Sequence, residues 1–89
     1  MLQIQRTNQF KKDLKKQEKR GKKLQKFIEA FNLLVQEKKL PEKYKNHKLS
    51  GNYKDRWECH IEPDCLLIYV LKADTIIFER IGSHSDLFR

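Results

Sequence analysis

The sequence RWECHIEPDCLLIYVLKADTIIFERI, residues 56–81, contains three consecutive strand signals. Residues 56–61 alternate between apolar and polar side chains, which is typical of a strand with one buried face. Residues 66–71 are apolar throughout, which favours a central strand buried on both faces. A turn with proline at its second position separates these two segments, and a second turn leads into residues 75–81. We therefore predict three consecutive antiparallel strands in the C-terminal half.

Two helices and a short strand precede this sheet. Residues 2–5 alternate apolar and polar side chains and predict a strand. Thr7 or Asn8 can cap a first helix, which we expect to end before Gly21 because glycine is preferred just after a helix. A second helix, ending at the Leu-Pro pair at 40–41, is indicated by one apolar stripe with helical spacing. The stripe consists of Leu24, Phe27, Ile28, Phe31, Leu34 and Val35.

Together these elements predict an α+β fold with the order βααβββ, in which two N-terminal helices pack on a twisted antiparallel sheet. With 89 residues, the chain is expected to form one domain, residues 1–89. Residues 42–52 show no clear periodicity, and residues 50–52 indicate a turn. No apolar run approaches membrane-spanning length, the N-terminus lacks the apolar segment of a signal peptide, and Cys59 and Cys65 lack C-x-x-C spacing. We therefore expect a cytoplasmic protein with reduced thiols.

Positive charge is concentrated in the helical half. The first 48 residues contain 15 Lys and Arg against 5 Asp and Glu, whereas the remainder contains 5 against 7. The whole chain carries a net charge of +8. Such a surface can attract a polyanion, in particular RNA or the ribosome. A solvated lysine face that keeps a small protein soluble is the alternative.

The register of the three strands decides whether their polar residues converge. We assume that the first hairpin closes at residues 63–64 and that the second turn has an even number of residues. His60 and Arg80 then lie on one face and flank Leu67, about 10 Å apart. An odd second turn would move Arg80 to the other face. The same surface would carry Glu58, Tyr69 and Phe78. The helices would cover the opposite side, with Trp57, Cys59 and Ile61.

Two short motifs contain residues suited to phosphodiester chemistry. His60 and Asp64 belong to HIEPD, and Arg80 and His84 belong to RIGSH. Histidine titrates near neutral pH and can give or take a proton, and arginine can bind two phosphate oxygens at once. Ser83 lacks the G-x-S-x-G elbow of a serine nucleophile, so we assign it no role. A small basic protein with these side chains at strand ends is suited to cutting or holding a phosphodiester.

At these motifs the chain resembles the YafQ branch of the RelE/ParE toxin superfamily. The resemblance covers essentially the whole chain and is carried by residues 44–49, Gly51, and residues 58–64, 67–69 and 80–88. It implies a toxin of a type II toxin-antitoxin system, an endoribonuclease that cleaves mRNA in the ribosomal A site and so inhibits translation. It also implies a RelE-like fold with the predicted order of helices and strands.

The resemblance implies six functional positions in this sequence: His47, His60, Asp64, Arg80, His84 and Phe88. We assign His84 as the general acid and Arg80 as the group that stabilises the phosphorane. Asp64 or His60 would act as the base that removes the proton of the attacking 2′-hydroxyl. His47 would position the RNA backbone or tune the pKa of a neighbouring group.

Contacts to RNA are expected from three positions. Phe88 would stack on a base, which is a grip that tolerates any sequence. Lys54 and Arg56 would bind RNA beside it. The sequence departs from the family at Cys65, because the family has a tryptophan directly after the turn aspartate. A stacking surface is therefore missing there, and Trp57 lies on the other face of its strand.

The resemblance also implies the partners. These are an acidic antitoxin of the DinJ/RelB-like ribbon-helix-helix type, the ribosome and mRNA, with operator DNA bound only through the antitoxin complex. We expect no membrane association, no cofactor and no metal, since the spacings of His, Asp and Cys match no zinc pattern. The alternative function is a ParE-like toxin that binds and poisons DNA gyrase. The histidines and the aspartate argue against it, since a pure binder needs no titratable groups around an arginine.

Each site assignment has a structural alternative. His47 can be an ordinary surface histidine in a lysine-rich loop. Asp64 can be only the residue that forms its turn. Arg80 can pair with Glu58 across the sheet, and Phe88 can close the core. The structure decides among these alternatives through the partners of each side chain.

Overall fold

The computed structural model describes residues 1–22, 24–49 and 55–88. In chain order the elements are β1 (Gln3–Arg6), α1 (Asn8–Lys19), α2 (Gln25–Val35), β2 (His47–Lys48), β3 (Arg56–Glu62), β4 (Cys65–Leu71), β5 (Thr75–Gly82) and α3 (His84–Leu87). A 3₁₀ turn, Glu42–Tyr44, lies between α2 and β2. The turn predicted at residues 50–52 and the RNA contact predicted at Lys54 lie outside the described residues.

The strands form one sheet with the order β1-β5-β4-β3-β2. β4, the apolar run, lies in the centre as predicted. β1 pairs with β5 in parallel, and the other pairs are antiparallel. The α+β class and the order βααβββ are confirmed, but the antiparallel prediction is wrong for β1. Alternation within a strand carries no information on the direction of a partner that is distant in sequence. Two short elements, β2 and α3, were not predicted because two and four residues show no periodicity.

Local interactions fix the ends of α1. The Thr7 side chain accepts a hydrogen bond from the backbone N–H of Phe10 at 2.9 Å, so Thr7 is the N-cap. α1 ends at Lys19, and Gly21 follows with a φ of 76°. That φ is left-handed and favours glycine, which explains why the helix stops where the sequence predicts.

α2 is shorter than predicted. It ends at Val35, and Glu37 has a left-handed φ of 59°, so the chain leaves the helix before the Leu-Pro pair. Ile28 is 54% exposed, so its predicted burial is wrong, and Leu24 is only partly buried. The other four residues of the stripe lie in the core or pack against it. Ala30 is fully buried instead, because it follows Phe27 by three residues on the same face. No helix among the described residues is long and apolar enough to cross a membrane.

The core lies between the helices and one face of the sheet. The ring of Phe78 in β5 lies 5.7 Å from that of Phe10 in α1 and 5.1 Å from that of Phe31 in α2. Phe27 in α2 lies 5.9 Å from Phe10. Burying one such side chain contributes about 1.5–3 kcal/mol relative to leaving it exposed. These contacts hold both helices on β5, the strand that carries Arg80.

The helices cover the face that carries Trp57 and Cys59, as predicted. Tyr69 and Phe78 pair across β4 and β5, also as predicted. Both belong to the core under the helices, and the ring of Trp57 stacks on Tyr69 at a centroid distance of 6.4 Å. The prediction that Tyr69 and Phe78 line the same surface as His60 is therefore wrong.

A β-bulge in β3 is the first cause of this error. Ile61 is the extra residue, so His60 pairs with Leu66 and not with Leu67. A bulge inserts one residue into a strand, and a shift of one residue exchanges the two faces. The predicted register is therefore wrong in β3 before the bulge.

A second bulge, at Glu79 in β5, compensates for the first. It places Arg80 opposite Ile68 and not opposite Leu67. Because each strand is shifted by one residue, His60 and Arg80 still share the face opposite the helices, as predicted. They lie in neighbouring rows of the sheet. The first row contains His60, Leu66 and Gly82, and the second contains Glu58, Ile68 and Arg80.

Candidate active site

The chain leaves β5 through a tight turn that presents His84 at the start of α3. Ser83 is the N-cap: its hydroxyl accepts from the backbone N–H of Asp86 at 3.2 Å, and its own N–H donates to the Asp86 carboxylate at 3.0 Å. A Cβ on Gly82 would meet the Cβ of Asp86 at 3.0 Å. Glycine is thus favoured at position 82 by the close approach of Asp86, and this approach aims α3 back over the sheet.

Asp86 is tied in turn to α1. Its carboxylate accepts from both terminal nitrogens of Arg20, at 2.8 and 3.2 Å, and from Nζ of Lys16 at 3.2 Å. Gln17 contacts the same carboxylate at 3.5 Å. The Arg20 guanidinium, followed by the Ser83 N–H, holds the pKa of Asp86 far below its usual range. α1 therefore anchors the turn that carries His84.

Asp64 fixes the orientation of His84. One oxygen, Oδ1, accepts from the His84 backbone N–H at 3.0 Å and lies 2.9 Å from Nδ1 of the ring. The backbone bond and then the ring contact lower the pKa of Asp64. A His84 that donates from Nδ1 to this carboxylate presents Nε2 to a substrate. Asp64 therefore does more than form its turn.

Glu58 serves two histidines at once. Its Oε1 lies 3.4 Å from Nε2 of His60 and 3.6 Å from Nε2 of His47. Nδ1 of His47 lies 2.8 Å from the backbone oxygen of Lys45, so this nitrogen carries the proton. Glu58 is only 7% exposed. His47 is therefore held through Nδ1 and lies beside a carboxylate, unlike an ordinary surface histidine.

Glu58 is the site residue that the sequence-based assignment missed. The signal was present, because Glu58 precedes His60 by two residues in an alternating strand and so shares its face. The predicted strand register placed Glu58 on the same surface as His60, but we assigned it no role. Its burial between two imidazoles, which only the structure shows, marks it as part of the site.

The aromatic rings of four predicted site residues form a row. The ring centroid of His60 lies 6.3 Å from that of His47 and 6.2 Å from that of His84. The ring of Phe88 lies 6.5 Å from that of His84. Phe88 is 36% exposed and does not close the core. Strands β2 and β3 and the turn after β5 thus bring these residues to one surface.

Arg80 is paired with α1 and not with Glu58. Its Nε donates to Asp13 at 2.7 Å and its Nη2 at 3.2 Å. The Arg80 side chain is 34% exposed, whereas that of Asp13 is 7% exposed. Arg56, predicted to bind RNA, is paired with Glu79 across the sheet. Both arginines therefore lie at the site with a carboxylate partner.

A cavity of about 320 Å³ opens beside His60. Its wall includes three lysines from two parts of the chain, Lys26 at the start of α2 and Lys43 and Lys45 near the 3₁₀ turn. The lysines therefore extend a positively charged surface from His60 toward α2. This arrangement suits a polyanion that extends beyond the reacting group.

A family model described as "Bacterial toxin of type II toxin-antitoxin system, YafQ" matches residues 2–89. The chain belongs to the YafQ toxin family. The resemblance inferred from the sequence motifs is thus confirmed, and the match spans both the basic helices and the site on the sheet.

Similar proteins agree in sequence and structure. The mRNA interferase toxin YafQ of Escherichia coli (strain K12) is 40% identical over 86 residues, which are 96% of this chain and 94% of that protein. The E. coli DinJ-YafQ complex contains a chain with a TM-score of 0.94 and 38% identity, with all of both chains covered. A copper-bound mutant toxin from Helicobacter pylori has a TM-score of 0.95 and 36% identity over 99% of this chain and 100% of that one.

Cys65 stands at the position where the resemblance leads us to expect tryptophan. Cys65 is buried, and burial raises the pKa of its thiol. Cys59 is also buried, which raises its pKa to about 12. Neither thiol offers a stacking surface or a thiolate at neutral pH. Among the described residues, no group of three or more His, Cys, Asp or Glu side chains is arranged to hold a metal ion.

Proposed function

We propose that residues 1–89 form a single toxin domain that acts in the cytoplasm as an mRNA endoribonuclease and so inhibits translation. One observation carries this proposal: His84, oriented by Asp64, faces His60 across a ring distance of 6.2 Å. Two imidazoles at this separation can address the two ends of one phosphodiester. The mRNA interferase activity named for the E. coli relative is consistent with this geometry.

The reaction requires a base, an acid and positive charge. In the proposed step, the base takes the proton of the 2′-hydroxyl, and the resulting oxygen attacks the adjacent phosphorus. The bond from phosphorus to the 5′-oxygen breaks, and His84 donates the proton from Nε2 to that oxygen. Arg80 stabilises the charge on the phosphorane. The products are a 2′,3′-cyclic phosphate and a 5′-hydroxyl.

His60 is the better base of the two candidates. The pKa of Asp64 is lowered by His84, which makes this carboxylate a weak acceptor for a hydroxyl proton. A neutral His60 that donates from Nε2 to Glu58 presents a basic Nδ1. Glu58 and His47 then orient the base, as Asp64 orients the acid.

RNA contacts extend from this centre. Phe88, beside His84, would stack on a base, and the lysines of the cavity beside His60 would contact phosphates. Arg56 would contribute through the face that it shares with His60, in competition with its partner Glu79. The binding role assigned to Lys54 stays a prediction.

The partners follow from charge and family. An acidic antitoxin of the ribbon-helix-helix type would cover the basic surface, and the E. coli complex of DinJ with YafQ supports this choice. The ribosome with mRNA would be the target, and operator DNA would be reached through the antitoxin complex. No cofactor is needed for the proposed chemistry.

A translating extract tests this function. Adding the protein and mapping mRNA 5′ ends should show new ends that disappear with His84→Gln, which keeps volume but not the titratable proton. Loss of about 100-fold in rate is expected for one proton-transfer group. Unchanged mRNA together with gyrase-dependent DNA breaks would instead establish the ParE-like alternative.

A further inference from the structure

Asp13 lies far in sequence from both site motifs but touches the residue that is proposed to stabilise the phosphorane. Its carboxylate accepts four hydrogen bonds: from Nε and Nη2 of Arg80 at 2.7 and 3.2 Å, from the backbone N–H of Ile81 at 3.2 Å, and from Gln9 at 3.0 Å. The carboxylate is nearly buried. Its position is therefore fixed from several directions.

We propose that Asp13 is a positioning residue that holds the Arg80 guanidinium in the orientation needed to bind the scissile phosphate. This inference rests on the proposed role of Arg80 in RNA cleavage. Asp13 takes Nε and Nη2, which form the side edge of the guanidinium. A bidentate phosphate contact from the end that carries Nη1 and Nη2 is compatible with this pairing.

The place of Asp13 in the fold explains why a helix supplies this group. β1 pairs with β5 only as far as Phe78, and no strand in the described part of the chain neighbours the edge of β5 beyond that point. α1 covers this edge: the Thr7 hydroxyl donates to the Glu79 carbonyl at 2.9 Å, and Asp13 accepts from the Ile81 N–H. The Asp13 carboxylate thus accepts the hydrogen bond that a neighbouring strand would otherwise accept from Ile81, and it contacts the Arg80 side chain at the same time.

Two other roles for Asp13 lead to different results. As a purely structural anchor, it would affect unfolding and would lower activity whether or not Arg80 is present. If Asp13 instead restrains Arg80 by neutralising its charge, removing the Asp13 carboxylate would raise activity. Positioning predicts that its removal lowers kcat through Arg80 alone.

The experiment is a double-mutant cycle on the full chain, with mRNA cleavage on purified ribosomes as the assay. Asp13→Asn should lower kcat about tenfold or more with little change in KM, while Asp13→Glu, which keeps the charge, should recover part of the rate. In the Arg80→Ala background, Asp13→Asn should cause no further loss. Glu18→Gln, an equal charge change at an exposed position on α1, is the matched control and should leave kcat unchanged. Thermal unfolding is measured on each variant.

Each outcome decides one question. A wild-type or raised kcat for Asp13→Asn, or an equal loss in the presence and absence of Arg80, overturns the positioning role. If Arg80→Ala itself cleaves at the wild-type rate, the proposed role of Arg80 fails first. Cleavage by the wild-type chain in the same assay separates both results from a failure of the proposed function.

Discussion

Oδ1 of Asp64 lies 2.9 Å from Nδ1 of His84 and accepts the backbone N–H of the same residue at 3.0 Å. One carboxylate oxygen therefore fixes both the backbone and the ring of the proposed general acid. This arrangement resembles the use of a carboxylate to hold a catalytic imidazole in one tautomer. The orientation of His84 depends on Asp64 being ionised, which leads to the first prediction.

Asp64→Asn should lower kcat by up to about 100-fold, because a small misplacement of a catalytic group costs on that order. The pKa of Asp64 is lowered in the folded protein, so the contact persists below the ordinary range of a carboxylate and is lost as pH falls through the lowered pKa. A pH profile of kcat tests this, and the variant should lack that acid limb. Asp74→Asn, in the turn before β5, is the control. An unchanged profile for Asp64→Asn would contradict the assignment.

Glu58→Gln should impair cleavage without unfolding the protein. In the unsubstituted chain, the Nε2 atoms of His60 and His47 face the Glu58 carboxylate. The substitution replaces this carboxylate with a neutral amide. Losing the carboxylate charge beside these imidazoles would misplace the proposed base, and a small misplacement of a catalytic group costs up to about 100-fold in rate. Single-turnover kinetics give the effect, with Glu37→Gln, at an exposed position just after α2, as the control. Wild-type kinetics would remove Glu58 from the site.

Asp86→Asn should destabilise the C-terminal turn. Loss of the cap alone costs about 1 kcal/mol, which lowers Tm by about 4–8 °C in a domain of this size. Because the folded pKa is depressed, the stabilisation by Asp86 is complete above the ordinary aspartate pKa and declines as pH falls toward the folded value. The difference in Tm between the variant and the wild type should therefore be present at neutral pH and should disappear at low pH. A constant difference would show that the charge of Asp86 is not involved.

Ser83→Ala tests the other half of this cap. Ser83 has no chemical role in the proposed reaction, but its hydroxyl caps α3, so the substitution should cost about 1 kcal/mol of stability. The cleavage positions should be unchanged, as mapped mRNA ends would show. A change in the mapped ends would mean that Ser83 contacts the substrate.

Neutralising Lys43 and Lys45 should weaken ribosome or RNA binding and leave the cleavage positions unchanged. These lysines line the cavity beside His60. Each lost phosphate contact should reduce the slope of log affinity against log salt by about 0.7–0.9. Lys11 and Lys15, exposed on α1, provide the comparison pair. Equal effects of the two pairs would indicate a diffuse field, and an affinity independent of salt would show that the lysines form only a solvated surface.

Local patterns in the sequence were sufficient for most of the fold. The cap at Thr7, the glycine after α1 and the apolar run of β4 each depend on near neighbours, and each was predicted correctly. The parallel pairing of β1 and the exposure of Ile28 depend on distant parts of the chain. Periodicity carries no record of such contacts.

The site was predicted from motifs, and its supporting groups were not. The motifs gave the histidines and the aspartate that the structure brings together. Asp13 contacts Arg80 and Ile81 of β5, and Arg20 contacts Asp86 in α3, so these contacts join residues more than sixty positions apart. In the sequence these side chains look like ordinary surface charges, and only tertiary packing distinguishes them.

The extra residues Ile61 and Glu79 have a genetic consequence. Because each extra residue has no partner on β4, deleting its codon would keep His60 opposite Leu66 and Arg80 opposite Ile68, so both side chains would stay on the same face. Such a deletion keeps the reading frame and leaves both motif residues in the gene. Among cells that survive expression of this chain, one-codon deletions should therefore be rarer at these two positions than at paired core positions such as Cys59 and Phe78.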